Sequence, residues 1–241
     1  MKSLHRVALF LFLFSAYTFR SHAQTPQLPP ASTPQIVVIN FLVEVRPDTV
    51  SQFVQIVSRL QAGGTKKLII LLSSPGGDTG SALAAYNFLK NISMEVTTFN
   101  MGTVDSATAL IFCGGHNRYA LPNSRFLLHS NMSPTNGLPM LNVMDLEARL
   151  NLVKSMNQVT AHVLATASSK KENELEQILR EQTILTAEQA KQWGLVQDVR
   201  SDFMEPGAIF MSVDAPPAEG KPQTTLPPSV TSSPVPVTTK Q

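Results

Sequence analysis

Residues 67–77, with the sequence KLIILLSSPGG, indicate the fold class. The run from Lys67 to Leu72 is short and almost wholly apolar, which is typical of a strand buried on both faces of a parallel sheet. Ser74-Pro75-Gly76-Gly77 then turns the chain, because proline and glycine favour turns. A helix is predicted to follow from about Thr79 to Leu89.

The segments around this strand continue an alternation of strands and helices. Residues 36–45 are rich in β-branched side chains and predict a strand. A helix begins near Pro47-Asp48 and ends at Gly63-Gly64, and residues 96–100 predict the next strand. The alternation favours an α/β domain with a mostly parallel sheet flanked by helices. The other predicted elements are a buried helix at Ser106–Cys113, a strand pair at Arg118–Ala120 and Arg125–His129 around Leu121-Pro122-Asn123, a long helix at Leu141–Ala167, shorter helices at Lys171–Glu181 and Ala187–Gln192, and a strand at Ile209–Val213.

The two ends of the 241-residue chain differ from its middle. Residues 1–23 predict a secretory signal peptide, with Lys2 and Arg6 before the apolar run 7–19 and small residues before a cut ahead of Gln24. An uncleaved membrane anchor is the alternative, although thirteen apolar residues fall short of the ~20 that span a bilayer. Residues 24–35 predict a Pro-rich linker, and residues 214–241 a disordered tail rich in Pro, Thr and Ser. One folded domain, residues 36–213, remains.

Charge and cysteine content exclude several classes of function. The chain has 19 Lys and Arg against 17 Asp and Glu, and the excess comes from Lys2, Arg6 and Arg20 in the predicted signal. The basic balance therefore gives no reason to expect binding to nucleic acid or to an anionic membrane. A single cysteine excludes an intramolecular disulfide and a cysteine-based zinc cluster. We expect no metal and no cofactor.

Three signals near the ends of predicted strands point to nucleophilic catalysis. They are the Gly76-Gly77 turn, a serine at position 106 after a glycine turn, and His129 at the end of an apolar strand. Taken singly, each has an ordinary structural explanation: a tight turn, a helix N-cap or a core histidine. Together they predict a serine hydrolase in which Ser106 is the nucleophile and His129 the base. The backbone N–H groups of Gly77 and Ala107 would form the oxyanion hole.

The stretch from Ile36 to about Val199 also resembles the proteolytic subunit of Clp protease, ClpP. The resemblance implies a ClpP/crotonase-like fold with a long handle-like helix, and a ring-forming homo-oligomeric peptidase. It aligns Ser106 with the nucleophile, His129 with the base, and Gly77 and Ala107 with the oxyanion positions. The matching stretches are LLSSPGGDTGSALAAYNFL (71–89), MGTVDSATAL (101–110), RYALPNSRFLLHS (118–130), EARLNLVKSMN (147–157) and ILTAEQAKQWGLV (184–196).

The third member of the triad departs from the family. The position that aligns with the family's aspartate is Gln182, and replacing the triad acid by its amide costs about 10⁴ in turnover. Three interpretations stay open: Gln182 orients His129, Glu181 replaces the acid, or the protein is not catalytic. A Ser106–Lys154 dyad, as in exported relatives of this fold, is a further alternative. Asp105, beside the nucleophile, is either a surface residue or a perturbation of the site.

These observations support three hypotheses of different classes. The first is an exported, periplasmic or secreted, ATP-independent serine endopeptidase that hydrolyses peptides or unfolded chains through an acyl-enzyme on Ser106. An exported protein has no ATP supply, so an ATPase partner is not expected. The second is a non-catalytic scaffold of the same fold that binds peptides or assembles with a partner. The third, a crotonase-type acyl-CoA enzyme, is disfavoured because CoA is cytoplasmic.

Overall fold

The computed structural model describes residues 35–133 and 140–215 of the chain. Within those ranges the chain forms eight strands and six helices in α/β order, as predicted. The strands are β1 (Ile36–Phe41), β2 (Lys67–Ser74), β3 (Glu95–Asp105), β4 (Asn117–Ala120), β5 (Arg125–Leu128), β6 (Thr183–Thr186), β7 (Asp198–Val199) and β8 (Ile209–Ser212). The helices are α1 (Pro47–Ala62), α2 (Thr79–Asn91), α3 (Thr108–Cys113), α4 (Val143–Thr166), α5 (Glu172–Glu181) and α6 (Ala187–Gln192).

The sheet has the strand order β6-β5-β3-β2-β1-β8, with β4 between β3 and β7. Only the β5–β6 pair is antiparallel among the strand pairs that the structure describes. The predicted α/β architecture with a mostly parallel sheet is therefore confirmed. The long helix α4 follows β5, the strand that ends directly before His129, in agreement with the predicted handle-like helix.

The position of β2 between β3 and β1 explains why its sequence is a continuous apolar run. Leu68, Ile70 and Leu72 lie in the main core, and Ile69 and Leu71 lie in a second cluster with Val38 and Phe99. Because successive side chains of a strand point to opposite faces, both faces of β2 are covered. All five of these β2 residues are buried.

The prediction that residues 118–120 and 125–129 pair with each other is wrong. Strands β4 and β5 do not pair with each other. Each runs parallel to β3, β4 along Thr97–Asn100 and β5 along Thr103–Asp105. Asn100 joins the two halves, because its carbonyl accepts from Leu121 N–H and its amide donates to the Arg125 carbonyl oxygen at 2.8 Å. β3 is longer than predicted, since its first part pairs with β4 and its last part with β5.

Other boundaries shift for local reasons. The first strand ends at Phe41, and Val45 forms an isolated bridge with Gly77. Strands β6 and β7 were not predicted, since they are only four and two residues long. The predicted signal peptide, most of the Pro-rich linker and most of the C-terminal tail lie outside the described residues. In residues 35–133 and 140–215, no helix has the length and apolar character needed to cross a bilayer.

Candidate active site

Ser106 lies on a tight turn between β3 and α3. Its backbone has φ 54°, in the left-handed region that non-glycine residues seldom adopt. The Ser106 N–H donates to the Leu127 carbonyl oxygen at 2.7 Å, so β5 holds the turn in place. The sequence predicted Ser106 as the first residue of a helix, but α3 begins two residues later, at Thr108. Strain of this kind is concentrated at functional sites.

Gly76 and Gly77 form the loop opposite this turn. Both have positive φ, +97° and +139°, and neither has room for a side chain. A Cβ on Gly76 would lie 2.7 Å from the Ser106 Cβ, and one on Gly77 would overlap the Val45 carbonyl oxygen. Val45 locks the loop, because its N–H donates to Gly76 and its carbonyl accepts from Asp78.

Two backbone donors are available next to Ser106. In the described part of the chain, the N–H groups of Gly77 and Ala107 donate to no protein acceptor. The Val45 bridge uses the Gly76 carbonyl and the Asp78 N–H and leaves the Gly77 N–H unused. Ala107 is at the N-cap of α3, where N–H groups have no partner within the helix. These are the two positions predicted to form an oxyanion hole.

His129 is the first residue after β5, and its orientation does not come from an acidic side chain. Its Nδ1 lies 2.7 Å from the carbonyl oxygen of Ser130. A carbonyl oxygen only accepts, so Nδ1 carries the proton and donates it, which leaves Nε2 free to act as a base. Among the described residues, no hydrogen bond joins Ser106 Oγ to His129.

The two candidates for the missing acid do not take this position. Gln182 ends α5 with φ 53° and is exposed, and its side chain makes no hydrogen bond to His129 within the residues that the structure describes. Glu181 is also exposed and accepts a hydrogen bond from Gln177 at 2.7 Å. The Ser130 carbonyl, which carries no recognisable sequence signal, is therefore the group that contacts His129 Nδ1.

Lys154 lies apart from the candidate nucleophile. It is exposed on α4 and lines a separate cavity of about 400 Å³ together with Ser130, Glu176 and Arg180. Ser106 does not line that cavity. The geometry gives no support to a Ser106–Lys154 dyad.

The cavity at Ser106 and His129 has a volume of about 840 Å³. A cleft of this size is within the range that holds small ligands and peptide side chains. Gly77 lines it beside Ser106, and Ala107 lines a small adjoining recess that shares Ser106 and His129. The charged side chains around the larger cavity are those of Glu44, Arg46, Asp48 and Asp78, and its apolar wall includes Met132, Leu152, Val153 and Met156.

A polar network behind the cavity was not predicted from the sequence. Asn131 accepts a hydrogen bond from the Thr79 hydroxyl, and its amide donates to Asn157 at 2.9 Å and to Thr160 at 3.2 Å. Thr79 follows the Gly76-Gly77 loop by two residues, and Asn131 follows His129 by two residues. The network therefore joins the Gly76-Gly77 loop, the His129 segment and α4.

Asp105 is the second feature that the sequence left unresolved. It is only 7% exposed, so it is not a surface residue. Arg125 on β5 donates two hydrogen bonds to its carboxylate, at 3.0 and 2.9 Å. Burial raises the pKa of Asp105 above its usual value, and the Arg125 guanidinium opposes that rise.

Comparison with known proteins identifies the family. The family described as Clp protease matches residues 35–202. The chain belongs to the Clp protease family. Clp protease relatives include the ATP-dependent Clp protease proteolytic subunit 1 of Thermobifida fusca, 31% identical over 137 residues, which are 56% of this chain and 60% of that protein. Proteolytic subunit 2 of Borreliella burgdorferi is 28% identical over 159 residues, 65% of this chain and 78% of its own length.

The Clp protease match is partial in length and covers the fold well. The matched region spans 60 to 64% of the length of four curated Clp protease subunits. Among solved structures, a mutant of ClpP1 from Listeria monocytogenes superposes with a TM-score of 0.62 at 19% identity. That superposition covers 70% of this chain and 93% of the other, so the Clp protease fold is shared.

Proposed function

We propose that this protein is a serine endopeptidase of the ClpP type that works without ATP. The observation that carries the proposal is the common position of four groups. Ser106 and His129 line one cavity, and the unused N–H groups of Gly77 and Ala107 lie at the same place. Nucleophile, base and two oxyanion donors are the groups that acyl transfer needs.

The mechanism follows from the roles these groups can take. Ser106 Oγ attacks the peptide carbonyl while His129 Nε2 takes the hydroxyl proton. The N–H groups of Gly77 and Ala107 stabilise the oxyanion. His129 then gives the proton to the leaving amine, and an acyl-enzyme remains on Ser106. Water, deprotonated by His129, releases the acyl group.

Position 182 holds glutamine in place of the triad carboxylate, and this lowers the rate that we expect for the reaction. The Ser130 carbonyl holds the imidazole in the tautomer that catalysis requires. A neutral carbonyl stabilises the imidazolium less than a carboxylate does, because the carboxylate carries a full charge. We therefore expect turnover below that of a serine peptidase with an intact triad.

A non-catalytic scaffold is the second candidate. Two observations favour it: Gln182 is uncharged and exposed, and no hydrogen bond joins Ser106 to His129 in the residues that the structure describes. In that case the cavity of about 840 Å³ would bind a peptide without cleaving it. The strained turn at Ser106 would then have no catalytic use.

Assembly and location are part of the proposal. The N-terminal half of α4 leaves apolar side chains in water, among them Val143 at 69% and Met144 at 78% exposure. Such a face fits contact with further copies of the chain in a homo-oligomeric ring. The predicted signal peptide implies export to the periplasm or outside the cell. Peptides or unfolded chains are then the substrates, and no ATPase partner is required.

The decisive experiment is covalent labelling of the purified full chain. A fluorophosphonate probe reacts only with an activated serine, and intact mass reports the adduct. We expect one adduct on wild type, none on Ser106→Ala, and strongly reduced labelling on His129→Ala. Lys154→Ala should label like wild type, because Lys154 lines another cavity. Circular dichroism shows that each variant is folded.

Two results would contradict the proposal. A folded wild-type protein that gives no adduct between pH 6 and 9 supports the scaffold. An adduct that persists in Ser106→Ala and disappears in Lys154→Ala assigns the chemistry to other residues. If labelling succeeds, hydrolysis of a fluorogenic peptide without ATP tests the endopeptidase activity directly.

A further inference from the structure

Asp105 and Arg125 lie on the same face of neighbouring strands, and His129 follows the end of the strand that carries Arg125. In the β3–β5 ladder, Asp105 is the partner of Leu127 and Thr103 is the partner of Arg125. Val104, Phe126 and Leu128 are buried in the main core. Since side chains alternate along a strand, Asp105 and Arg125 point away from that core. Asp105 and Arg125 therefore share one face, and His129 comes directly after β5, two residues beyond the ladder partner of Asp105.

In the Asp105–Arg125 ion pair, Asp105 is the member closer to His129 along the strands. Asp105 stands level with Leu127, two residues before His129, whereas Arg125 is four residues before it. At ~3.3 Å per residue, the Asp105 backbone is about 7 Å from the His129 level along the strand, and that of Arg125 about 13 Å. The carboxylate is thus the end of the pair closer to His129.

The electrostatics agree with that order. Positive charge on His129 lowers the pKa of Asp105, in addition to the larger effects of burial and of Arg125. Coupling between two sites is reciprocal, so the field of the Asp105 carboxylate also reaches His129.

We infer that Asp105 is a positioning residue whose carboxylate, held by Arg125, stabilises the positive charge that His129 acquires when it deprotonates Ser106. It would supply the electrostatic part of the role that Gln182 cannot fill, while the Ser130 carbonyl orients the ring. The inference rests on the proposed peptidase function. The sequence places this aspartate directly before the nucleophile.

Other charges that face His129 are more strongly screened by water. Across the cavity these are Glu44, Asp48 and Asp78, which are exposed, and Arg46, which is paired with Asp48. Lys154, Glu176 and Arg180 line the cavity on the Ser130 side. Asp105 is 7% exposed, so its field acts through a less polar medium.

The test uses two substitutions that break the same ion pair from opposite sides. Asp105→Asn leaves the Arg125 charge uncompensated, and Arg125→Gln leaves the Asp105 charge uncompensated. Fluorophosphonate labelling of the full chain is followed from pH 5 to 9. In each reaction the Ser106 Oγ–phosphorus bond forms, the phosphorus–fluorine bond breaks, fluoride leaves, and His129 receives the serine proton.

We expect opposite shifts from the two variants. Asp105→Asn should lower the plateau labelling rate about tenfold and move the acidic midpoint down by about half a pH unit, a threefold change in proton affinity. Arg125→Gln should move the midpoint up by a similar amount. Asp198→Asn, which removes an exposed carboxylate paired with Lys191, is the matched control and should leave the midpoint unchanged.

A purely structural role predicts something different. Loss of the ion pair would then slow both variants and shift both midpoints in the same direction, or not at all, and either result overturns the inference. If the folded wild type does not label, the proposed function fails, and with it the catalytic part of this inference. Titration of the His129 imidazole by NMR in the same variants, assigned with His129→Gln, still decides whether the two residues are coupled.

Discussion

Gly76 packs directly against Ser106. A Cβ atom on Gly76 would lie 2.7 Å from the Ser106 Cβ and 2.8 Å from the Asp105 carbonyl oxygen. Two tight turns, both with positive φ, thus support each other from neighbouring strand ends, β2 and β3. The position of the candidate nucleophile depends on the missing side chain of Gly76.

Replacing this glycine should abolish labelling at Ser106. Gly76→Ala forces the turn of Ser106 to move and places alanine at φ +97°, so we expect at least a hundredfold lower fluorophosphonate rate. Gly64→Ala is the matched control, because Gly64 has φ +92° and nothing lies within 4 Å of its added Cβ. Both variants should lose roughly 1–2 kcal/mol of stability from the left-handed backbone. Equal labelling of the two variants would contradict the packing explanation.

The side chain of Gln182 should contribute little to catalysis. It makes no hydrogen bond to His129 among the described residues, so Gln182→Ala should label within about twofold of wild type. Gln182→Gly controls for the backbone, because glycine accepts φ 53° without strain. A tenfold loss of labelling in both variants would show that the amide does orient His129.

Asn131 should be needed for both stability and reactivity. Asn131→Ala removes the side-chain hydrogen bonds to Thr79, Asn157 and Thr160. At ~1 kcal/mol each, the free energy of unfolding should fall by about 2–3 kcal/mol. Labelling should slow about tenfold, because both the Gly76-Gly77 loop and the His129 segment lose their hydrogen bonds to α4. Urea unfolding and the labelling rate measure the two effects.

The control for Asn131 is an asparagine with one exposed partner. Asn91 donates a single hydrogen bond to the Asn87 carbonyl on the surface of α2. Asn91→Ala should therefore change neither the labelling rate nor the unfolding midpoint appreciably. A similar loss in both variants would mean that the network has no special role.

Cys113 should be unreactive in the folded protein. It is fully buried, and burial raises the pKa of its thiol to about 12, because the thiolate is the charged form. At pH 8 only about 10⁻⁴ of the thiol is ionised, and the thiolate is the reactive species. A disulfide reagent should thus label the chain only after unfolding in urea. Since this is the single cysteine, Cys113→Ala removes the signal entirely, and rapid labelling of native wild type would contradict the burial.

Parts of the fold were predictable where local pattern and tertiary environment agree. The apolar run of β2 predicted a strand covered on both faces, and α1 begins at Pro47 as its N-terminal signals indicate. Strand pairing was less predictable. The hairpin expected around Pro122 does not form, because the extended β3 offers partners to both β4 and β5. Local sequence does not predict which strand a given segment will pair with.

The fold class and the residue types at the site follow from local sequence. Periodicity, turn residues and the order of Gly77, Ser106, Ala107 and His129 are local properties, and they can be recognised along the chain. The surroundings of His129, in contrast, depend on how distant segments of the chain pack together. The Ser130 carbonyl meets its Nδ1, and Gln182 makes no hydrogen bond to it among the described residues. The Asp105–Arg125 ion pair lies in the adjoining β3–β5 ladder. Backbone acceptors carry no sequence signal, and charges couple through space, so these relationships depend on strand register and burial.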